Sequence, residues 1–442
     1  MQRLVRAIAA CGFAVGLLAR GIAGAAEGVE GLDKIYPELD ALYLDLHQSP
    51  ELSLQEEKTA GKMAARLRAL GFEVTTGVGK HGVVGVLRNG KGPTVLLRTD
   101  MDGLPVLEKT GLPYASKVTA RRPSGETVPV THACGHDIHM SAWVGAATLL
   151  ARARGTWSGT LVMVGQPAEE VVAGAAAMLA DGLYERFPRP DYALAVHDHG
   201  LIAAGQIGVV PGFALASMDT VEITVYGKGG HGAAPHMSVD PIVIAARIVG
   251  ALQTIVAREV NPRDPAVVTV GSFHAGTKAN IIPDEAKLQL TVRSYKRSVR
   301  DHLLAAIARI ARAEAAAANA PREPLIWVDP HGSTETVLND EKLVAQLRPA
   351  LEAAVGKANV VDSDPIMGSE DFSEFRRAGT SAALFWIGAT EPGRFAELKS
   401  KGEPPPSVHS ALFAPDRERT IRTGVITLVT SALALLGKGG KG

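Results

Sequence analysis

The eight residues from His132 to His139 (HACGHDIH) contain three imidazoles, a thiol and a carboxylate. Thiolate sulfur and imidazole nitrogen are the donors that zinc and similar late divalent ions prefer. Gly135 lets the backbone turn, so that Cys134 and His136 can face one centre. The cluster therefore predicts a metal site, whereas the plainer alternative is a buried cysteine beside packing or capping histidines.

Glu169 and Glu170 are adjacent carboxylates that follow an apolar stretch, TLVMVGQ. Adjacent side chains can diverge in a turn, so one can bind metal while the other faces a bound water. Metal lowers the pKa of that water towards about 7, and a free carboxylate can take its proton and pass it to a leaving amine. The pair predicts metal-assisted hydrolysis; two solvated glutamates are the alternative.

Two further histidines, His197 and His409, are by themselves more typical of a core or a surface than of a metal site. Together with Cys134, His136 and Glu170 they would make five donors. Five exceeds the four ligands of one tetrahedral zinc and suits two divalent ions that share a ligand. His199 competes with His197, and spacing alone does not decide between them.

Near-continuous apolar strands predict how these donors are positioned. The strands are Thr94–Thr99, Thr160–Gln166, Tyr192–Val196 and Ala382–Ile387. Helices alternate with them, including Met140–Arg154 with Asp137 as its cap. This pattern predicts an α/β fold with a mixed sheet covered by helices on both faces. Most candidate ligands follow a strand directly, where α/β sheets form their sites.

The middle of the chain follows a β-α-β-β-α-β order, which is typical of a ferredoxin-like α+β domain. Its predicted elements are Thr220–Tyr226, Pro241–Glu259, Ala266–Phe273, Ala286–Tyr295, Ser298–Ala318 and Leu325–Val328. We therefore expect an inserted domain at 213–330 that divides the catalytic domain into 27–212 and 331–442.

Composition excludes some functions. Lys+Arg and Asp+Glu both number 46, so no basic excess favours nucleic acid or an anionic membrane. Aromatic residues are only 5%, which also argues against base stacking.

Residues 1–26 resemble a secretory signal peptide, with Arg3 and Arg6 before a short apolar run and an A-x-A pattern at Ala23–Ala25. A lipoprotein box ending at Cys11 is the weaker alternative, because most of the apolar run follows it. We expect a periplasmic protein without stable membrane association, since no other stretch suggests a transmembrane helix. Cleavage leaves Cys134 as the only cysteine, which favours metal ligation over a disulfide.

Several motifs together resemble the M20 metallopeptidase family, in the amidohydrolase branch that includes hippurate hydrolases, N-acyl-amino-acid amidohydrolases and auxin-conjugate hydrolases. The resemblance covers nearly all of the mature chain. Its motifs are Arg98–Pro105 (RTDMDGLP), His132–His139, Gln166–Glu170 (QPAEE), His231–His236 (HGAAPH), Gly368–Ser373 (GSEDFS) and His409-Ser410.

The resemblance implies a zinc-peptidase-like catalytic domain and two divalent ions, Zn²⁺ or Mn²⁺, with Ni²⁺ or Co²⁺ as alternatives. The implied metal ligands are Cys134, His136, Glu170, His197 and His409, with the thiolate bridging the ions. It also implies Glu169 as general base, Asp102 as an orienting residue behind the ligands and His231 as oxyanion stabiliser. His231 would act from the inserted domain, in some members across a dimer, and Asn280 would hold a substrate carboxylate.

The residues themselves support the last two roles less strongly. His231 follows a glycine-rich loop, as a reaching donor requires, but a histidine in a turn is equally consistent. Asn280 is equally consistent with a turn before Pro283. The chain also departs from many relatives at Ile138, Asp198-His199 and Val171-Val172, which border the site and bear on substrate preference.

We therefore predict a secreted hydrolase of N-acyl amino acids that is homodimeric through its inserted domain. A dipeptidase or metallo-carboxypeptidase and a non-catalytic periplasmic metal- or peptide-binding protein are the alternatives. A pure binding protein would not need Glu169 as an unligated carboxylate. The G-x-G-x-x-G at Gly77–Gly82 precedes a strand-like run rather than a helix, so it predicts a turn and not a phosphate site.

Overall fold

The computed structural model describes residues 29–438. The predicted signal peptide lies outside this range, so its cleavage and a periplasmic location stay predictions. Within the range there are eleven α-helices: α1 Leu32–His47, α2 Glu57–Ala69, α3 His136–Arg152, α4 Gly174–Ala180, α5 Leu183–Arg186, α6 Pro241–Thr254, α7 Arg297–Ala317, α8 Glu341–Val355, α9 Ser373–Arg377, α10 Pro392–Lys401 and α11 Arg417–Leu435.

The strands of the described range alternate with these helices and form one large sheet and several small ones. They are β1 Glu73–Val78, β2 Gly82–Asn89, β3 Thr94–Asp100, β4 Thr119–Arg121, β5 Thr127–Pro129, β6 Trp157–Gln166, β7 Tyr192–Ala203, β8 Ile207–Val209, β9 Gly212–Leu215, β10 Ser217–Tyr226, β11 Gly230–His231, β12 Ala266–Ala275, β13 Ile281–Ile282, β14 Glu285–Ser294, β15 Leu325–Thr334, β16 Val337–Asn339, β17 Val360–Asp362, β18 Ser381–Thr390 and β19 Gly437–Lys438.

The large sheet has the order β1-β2-β6-β3-β7-β18-β8-β17, with β19 beside β6. Strands β6, β3, β7 and β18 run parallel, whereas β1 and β2 form an antiparallel hairpin. One apolar core lies under α1, α3 and α11, and a second lies on the opposite face. The predicted mixed sheet covered on both faces is confirmed, and Gly77–Gly82 lies in the hairpin region as expected.

The four-stranded sheet has the order β12-β14-β10-β15, and all of its pairs are antiparallel. Its strands and helices occur as β10-α6-β12-β14-α7-β15, which confirms the ferredoxin-like pattern. One face packs on α6 and α7 around a separate core that includes Ile244, Ile248 and Leu303. The exact domain boundaries stay a prediction.

Two local predictions were wrong. Helix α3 begins at His136 rather than Met140, because Gly135 adopts a left-handed conformation (φ 76°) at its N-cap; Asp137 lies in the first turn and is not the cap. Strand β7 continues to Ala203 instead of ending at Val196, because it pairs with β18 as far as Thr390. His136 is therefore helical, and His197 lies within a strand.

Helix α6 ends at Thr254 and is followed by a π-helical segment at Ile255–Glu259, where a single helix from Pro241 to Glu259 was expected. Pro241–Glu259 is long and apolar enough for a membrane span by length and composition, with a mean hydropathy of 1.5. Only 33% of this segment is buried. Its buried residues face the four-stranded sheet, while Ile242, Val243 and Val256 are exposed. A core helix passes the same test, so this is weak support for a membrane.

Candidate metal centre

Five donors from distant parts of the chain meet beyond the parallel strands of the large sheet. The sulfur of Cys134 lies 3.5 Å from His197 Nε2 and 3.3 Å from His409 Nε2. Glu170 approaches from the turn after β6, with Oε2 3.4 Å from His409 Nε2 and Oε1 3.8 Å from His136 Nε2. The structure thus brings together all five predicted ligands.

The donor atoms fall into two groups that share the thiol. Cys134, His136 and His197 form one group, and Cys134, Glu170 and His409 form the other; the atoms of each lie within 4.8 Å of one another. Sharing one sulfur between two groups suits two ions with a bridging thiolate. Among residues 29–438, the buried His136 Nε2 and Glu170 Oε1 have no hydrogen-bond partner, although buried polar atoms normally find one. These residues fit a pair of divalent ions.

Backbone carbonyls orient two of the histidines. His136 Nδ1 lies 2.8 Å from the carbonyl oxygen of Asp102, and His197 Nδ1 lies 2.8 Å from that of Asp198. A carbonyl only accepts, so each Nδ1 carries the hydrogen and donates it. Each Nε2 faces the group of donors that contains Cys134 and can offer its lone pair to a metal ion when it carries no proton, which is the usual arrangement behind a metal-ligating histidine.

Gly135 is required where Cys134 and His136 turn towards the centre. Its φ is 76°, and a Cβ there would lie 1.9 Å from Oδ2 of the buried Asp198. Any side chain at this position would displace Asp198 as well as strain the backbone. The sequence correctly assigned the turn to Gly135, but it gave no sign of the carboxylate packed against it.

Asp102 holds the two glutamates from behind. Its Oδ1 accepts from the backbone N–H of Glu169 (3.1 Å) and its Oδ2 from that of Glu170 (3.0 Å). Ser53 Oγ donates to the same Oδ2 over 2.6 Å. One carboxylate therefore fixes the turn in which the neighbouring side chains diverge, although its role in the reaction stays a prediction.

Glu169 and Glu170 differ in what they reach. Both have a carboxylate oxygen 3.8 Å from His136 Nε2, but Glu170 also approaches His409 and so spans the two donor groups. Burial, followed by the charges of Glu370 and Glu170, raises the pKa of Glu169 well above its usual value. Glu169 thus has a high proton affinity and does not contact the donor group of Cys134, Glu170 and His409, so its carboxylate is suited to accept a proton.

The remaining histidines of the cluster are not placed as ligands. His139 is saturated, because Nδ1 pairs with Asp100 Oδ1 (2.7 Å) and Nε2 accepts from the Asp198 backbone N–H (2.9 Å). His132 is buried, and neither ring nitrogen has a partner in the described part of the chain; its ring centroid lies 6.4 Å from that of His136. His199 Nδ1 accepts from the Leu201 N–H, so the structure brings His197 and not His199 to Cys134.

A buried ionic network lies beneath the centre, and sequence reasoning missed it. The Arg98 guanidinium contacts Asp100 (2.6 Å) and Glu370 (2.7 Å), and Asp371 accepts from Gln166 (2.6 Å). Asp100 in turn holds His139. These residues lie within the motifs RTDMDGLP, QPAEE and GSEDFS, but no role was predicted from the sequence for Arg98, Asp100, Gln166, Glu370 or Asp371. The ionic contacts between these motifs can be recognised only in the folded structure, where the motifs lie next to each other.

A cavity of about 500 Å³ opens in front of the donors. Its lining includes Cys134, Glu169, Glu170, His197 and His409, and its other walls carry the apolar Leu201, Leu215, Met218, Ile366 and Trp386. One cation, Arg293 on β14, also lines it. Polar and apolar residues alternate along β14, so the sequence did not distinguish Arg293 from the other polar residues that face away from the core.

Arg293 has no carboxylate partner among the described residues. Its guanidinium donates to the Met367 carbonyl over 2.7 Å and contacts the Met218 sulfur at 3.4 Å. Burial lowers the pKa of Arg293 without bringing it into the physiological range. A half-buried guanidinium with donors to spare is a ready site for an anionic group of a ligand.

His231 and Asn280 lie together but away from this cavity. His231 is exposed on β11, which pairs with β13, and the Asn280 carbonyl accepts from Gly232 N–H over 2.9 Å. Neither residue lines the cavity of its own chain. Their predicted contacts with substrate would need a second copy of the chain or a movement of the four-stranded domain.

Comparison with known proteins gives consistent matches. The profile of peptidase family M20/M25/M40 matches residues 96–400. A thermostable carboxypeptidase of Saccharolobus solfataricus is 36% identical over 344 residues, 77% of this chain and 83% of the relative. A hippurate hydrolase of Campylobacter jejuni is 36% identical over 340 residues, 76% and 85% of the two chains. The crystal structure of a dinuclear-metal-binding M20 peptidase from Bacillus subtilis superposes with a TM-score of 0.72 at 29% identity, covering 91% of this chain and all of that one.

Proposed function

This chain belongs to peptidase family M20/M25/M40 and is a metal-dependent amidohydrolase, and we propose that it hydrolyses N-acyl amino acids with a free α-carboxylate. The observation that carries the substrate class is Arg293, an unpaired cation in the wall of the cavity that also contains the metal-site donors. The hippurate hydrolase and the carboxypeptidase among its relatives are both named for substrates that carry such a carboxylate.

The proposed reaction uses the residues of the cavity in separate roles. Two divalent ions held by the five donors would polarise the scissile carbonyl and lower the pKa of water. Glu169 takes the proton from the attacking water and later delivers it to the leaving amine. Arg293 binds the substrate carboxylate, and the apolar wall excludes water from the acyl group. His231 and Asn280 add contacts to the oxyanion and the carboxylate from a partner subunit.

Neutralising Arg293 is expected to weaken the binding of acidic substrates specifically. Arg293→Met should raise the KM for hippurate (N-benzoylglycine) by about 10- to 100-fold, because a hydrogen-bonded charge pair is lost. N-benzoylglycinamide, which lacks the carboxylate, should be equally poor for both enzymes. Steady-state kinetics on the Zn²⁺- or Mn²⁺-loaded proteins measure this, with Arg293→Lys as the charge-retaining control. An unchanged KM for hippurate would disprove the assignment.

The same assay separates the two enzymatic alternatives. A dipeptide with a free α-amino group and hippurate share a carboxylate, so Arg293 suits both. Hippurate should be hydrolysed with a higher kcat/KM, because the three carboxylates that line the cavity, Glu169, Glu170 and Asp198, each lie against a metal-site histidine and are not placed to receive a substrate ammonium. Faster dipeptide turnover would favour the dipeptidase alternative.

We also propose that the protein is a homodimer through the four-stranded domain. The outer face of α6 exposes Ile242 (37%) and Val243 (55%), and β12, which pairs only with β14 among the described strands, is an edge strand of the same domain. Apolar faces of this kind are typical of subunit interfaces. Dimerisation would also give His231 and Asn280 a route to a second cavity.

Introducing a charge on α6 is expected to dissociate the dimer. Val243→Asp should yield monomers in sedimentation equilibrium at micromolar concentration, because the carboxylate would be buried unpaired. Leu325→Asp is the matched control, since Leu325 is 57% exposed on β15 at the opposite edge of the sheet. A monomeric wild type, or equal behaviour of the two variants, would contradict this interface.

A further inference from the structure

His199 lies in the cavity wall two residues after the ligand His197 on β7. Residues two apart in a strand project from the same face, about 7 Å from each other. The Trp386 ring contacts both imidazoles, with ring centroids 5.6 Å from His197 and 4.9 Å from His199. The side chain of His199 therefore lies about 7 Å along the strand from that of the proposed metal ligand His197, on the same face.

The hydrogen bonding of His199 determines what it offers. The Leu201 backbone N–H donates to Nδ1 over 3.0 Å, so Nδ1 is an acceptor and the neutral ring carries its hydrogen on Nε2. Nε2 has no hydrogen-bond partner among residues 29–438, and it is not among the fully buried unpartnered atoms. The side chain thus presents an unused N–H donor to the cavity.

The surroundings hold this donor in place. Trp386 meets the His199 ring nearly edge-on, at 86°. Thr390 Oγ1 donates to the Gly200 carbonyl over 2.7 Å, and a Cβ on Gly200 would lie 2.9 Å from the Pro406 carbonyl oxygen. The loop that carries His409 therefore rests directly on the strand beside His199, which makes the donor preorganised relative to the metal ligands.

We propose that His199 selects the acyl group by donating Nε2–H to an oxygen at its far end. The walls beside it are apolar, from Leu201, Trp386 and Val408, so they suit a flat hydrophobic body. The step of about 7 Å from His197 places His199 beyond the aromatic ring of a substrate whose carbonyl lies at the metal-site donors, on the side of a para substituent. Arg293 stands on β14 in the other domain, which leaves this wall for the acyl end. The inference rests on the proposed hydrolysis of N-acyl amino acids.

A pair of isosteric substrates tests this role. N-(4-methoxybenzoyl)glycine and N-(4-ethylbenzoyl)glycine differ by an oxygen in place of a methylene. For each enzyme, the ratio of kcat/KM for the methoxy substrate to kcat/KM for the ethyl substrate is measured. This ratio is expected to be about fivefold to tenfold higher in the wild type than in His199→Phe, because only the wild type can donate a hydrogen bond to the methoxy oxygen. Comparing the enzymes cancels the intrinsic difference in reactivity. His199→Gln, which keeps an N–H donor, should retain part of the preference, and metal content should be unchanged in both variants.

Three outcomes would count against it in distinguishable ways. If His199→Phe keeps the wild-type ratio of the two substrates while hippurate is hydrolysed, the role of His199 is wrong and the proposed function stands. If His199→Phe does not fold, an equal ratio in the wild type and His199→Leu overturns the role instead. If the metal-loaded wild type hydrolyses none of the three benzoylglycines, the proposed function itself fails, and the role of His199 fails with it.

Discussion

Replacing Glu169 by glutamine is expected to lower kcat by about 10²- to 10⁴-fold while leaving the metal content intact. Glutamine keeps the size of the side chain and its fit in the turn, because the contact with Asp102 is made by the backbone N–H of residue 169. It cannot take a proton from water. The loss should appear in kcat more than in KM, since Arg293 and the apolar wall, which we propose bind the substrate, are unchanged.

The neighbouring residue supplies the matched control. Glu170→Gln makes the same chemical change one position away, where the carboxylate spans His136 and His409. We expect this variant to lose metal as well as activity, because an amide is a poorer ligand than a carboxylate. Elemental analysis together with steady-state kinetics separates the two effects. Full activity in Glu169→Gln would exclude it as the base, and lost metal would make it a ligand.

Glu169 also decides between an enzyme and a binding protein on the same scaffold. A binding protein would gain nothing from a buried carboxylate whose pKa is raised by burial and by the charges of Glu370 and Glu170. Keeping such a group is costly in a folded protein unless it is used. Equal affinity of wild type and Glu169→Gln for a non-hydrolysable substrate analogue, with turnover only in the wild type, would complete the separation.

The sequence predicted local structure well where the residues that determine it are neighbours. Apolar runs located β3, β6 and β18, and the order of elements identified the ferredoxin-like domain. It failed where distant residues set the outcome. Asp137 is not the cap because the helix begins one residue before it, and its carboxylate pairs with His47 (2.6 Å), ninety positions earlier; β7 is extended by its pairing with β18.

The same distinction applies to the site. The cluster at His132–His139 was enough to predict a metal site. The spacing of the histidines did not show whether His197 or His199 is the ligand, because that depends on which of them β7 brings next to Cys134. The sequence around Arg293 did not indicate a binding residue, since outward-facing arginines are common on alternating strands. Its place in the cavity wall depends on how the other domain packs against β14. The network around Arg98 likewise joins three motifs that have no contact in sequence.

Metal binding is expected to release protons and to weaken as the pH falls. Burial, followed by the charges of Glu170 and Glu169, raises the pKa of the Cys134 thiol. Burial also raises the pKa of Glu170 to about 8, against the opposing effect of His136. At pH 7 the metal-free site therefore holds protons on groups that bind metal only when deprotonated. The thiol proton competes with the ions already at alkaline pH and the Glu170 proton does so below about pH 8, so metal affinity falls towards acid.

Calorimetric titration with Zn²⁺ at pH 7, in buffers of different ionisation enthalpy, counts the released protons. We expect about three per protein, one each from Cys134, Glu170 and His136; burial lowers the pKa of His136, but the charge of Asp100 and other carboxylates raises it well above its usual value. Cys134→Ala should release about one proton fewer and bind Zn²⁺ at least about 100-fold more weakly, since it removes the ligand that both donor groups share. His132→Leu is the control: it alters an equally buried neighbour that the donor groups do not include, so it should bind two ions with wild-type proton release. Identical titrations of wild type and Cys134→Ala would mean that the thiol is not a ligand, and the two-ion centre would lose its bridge.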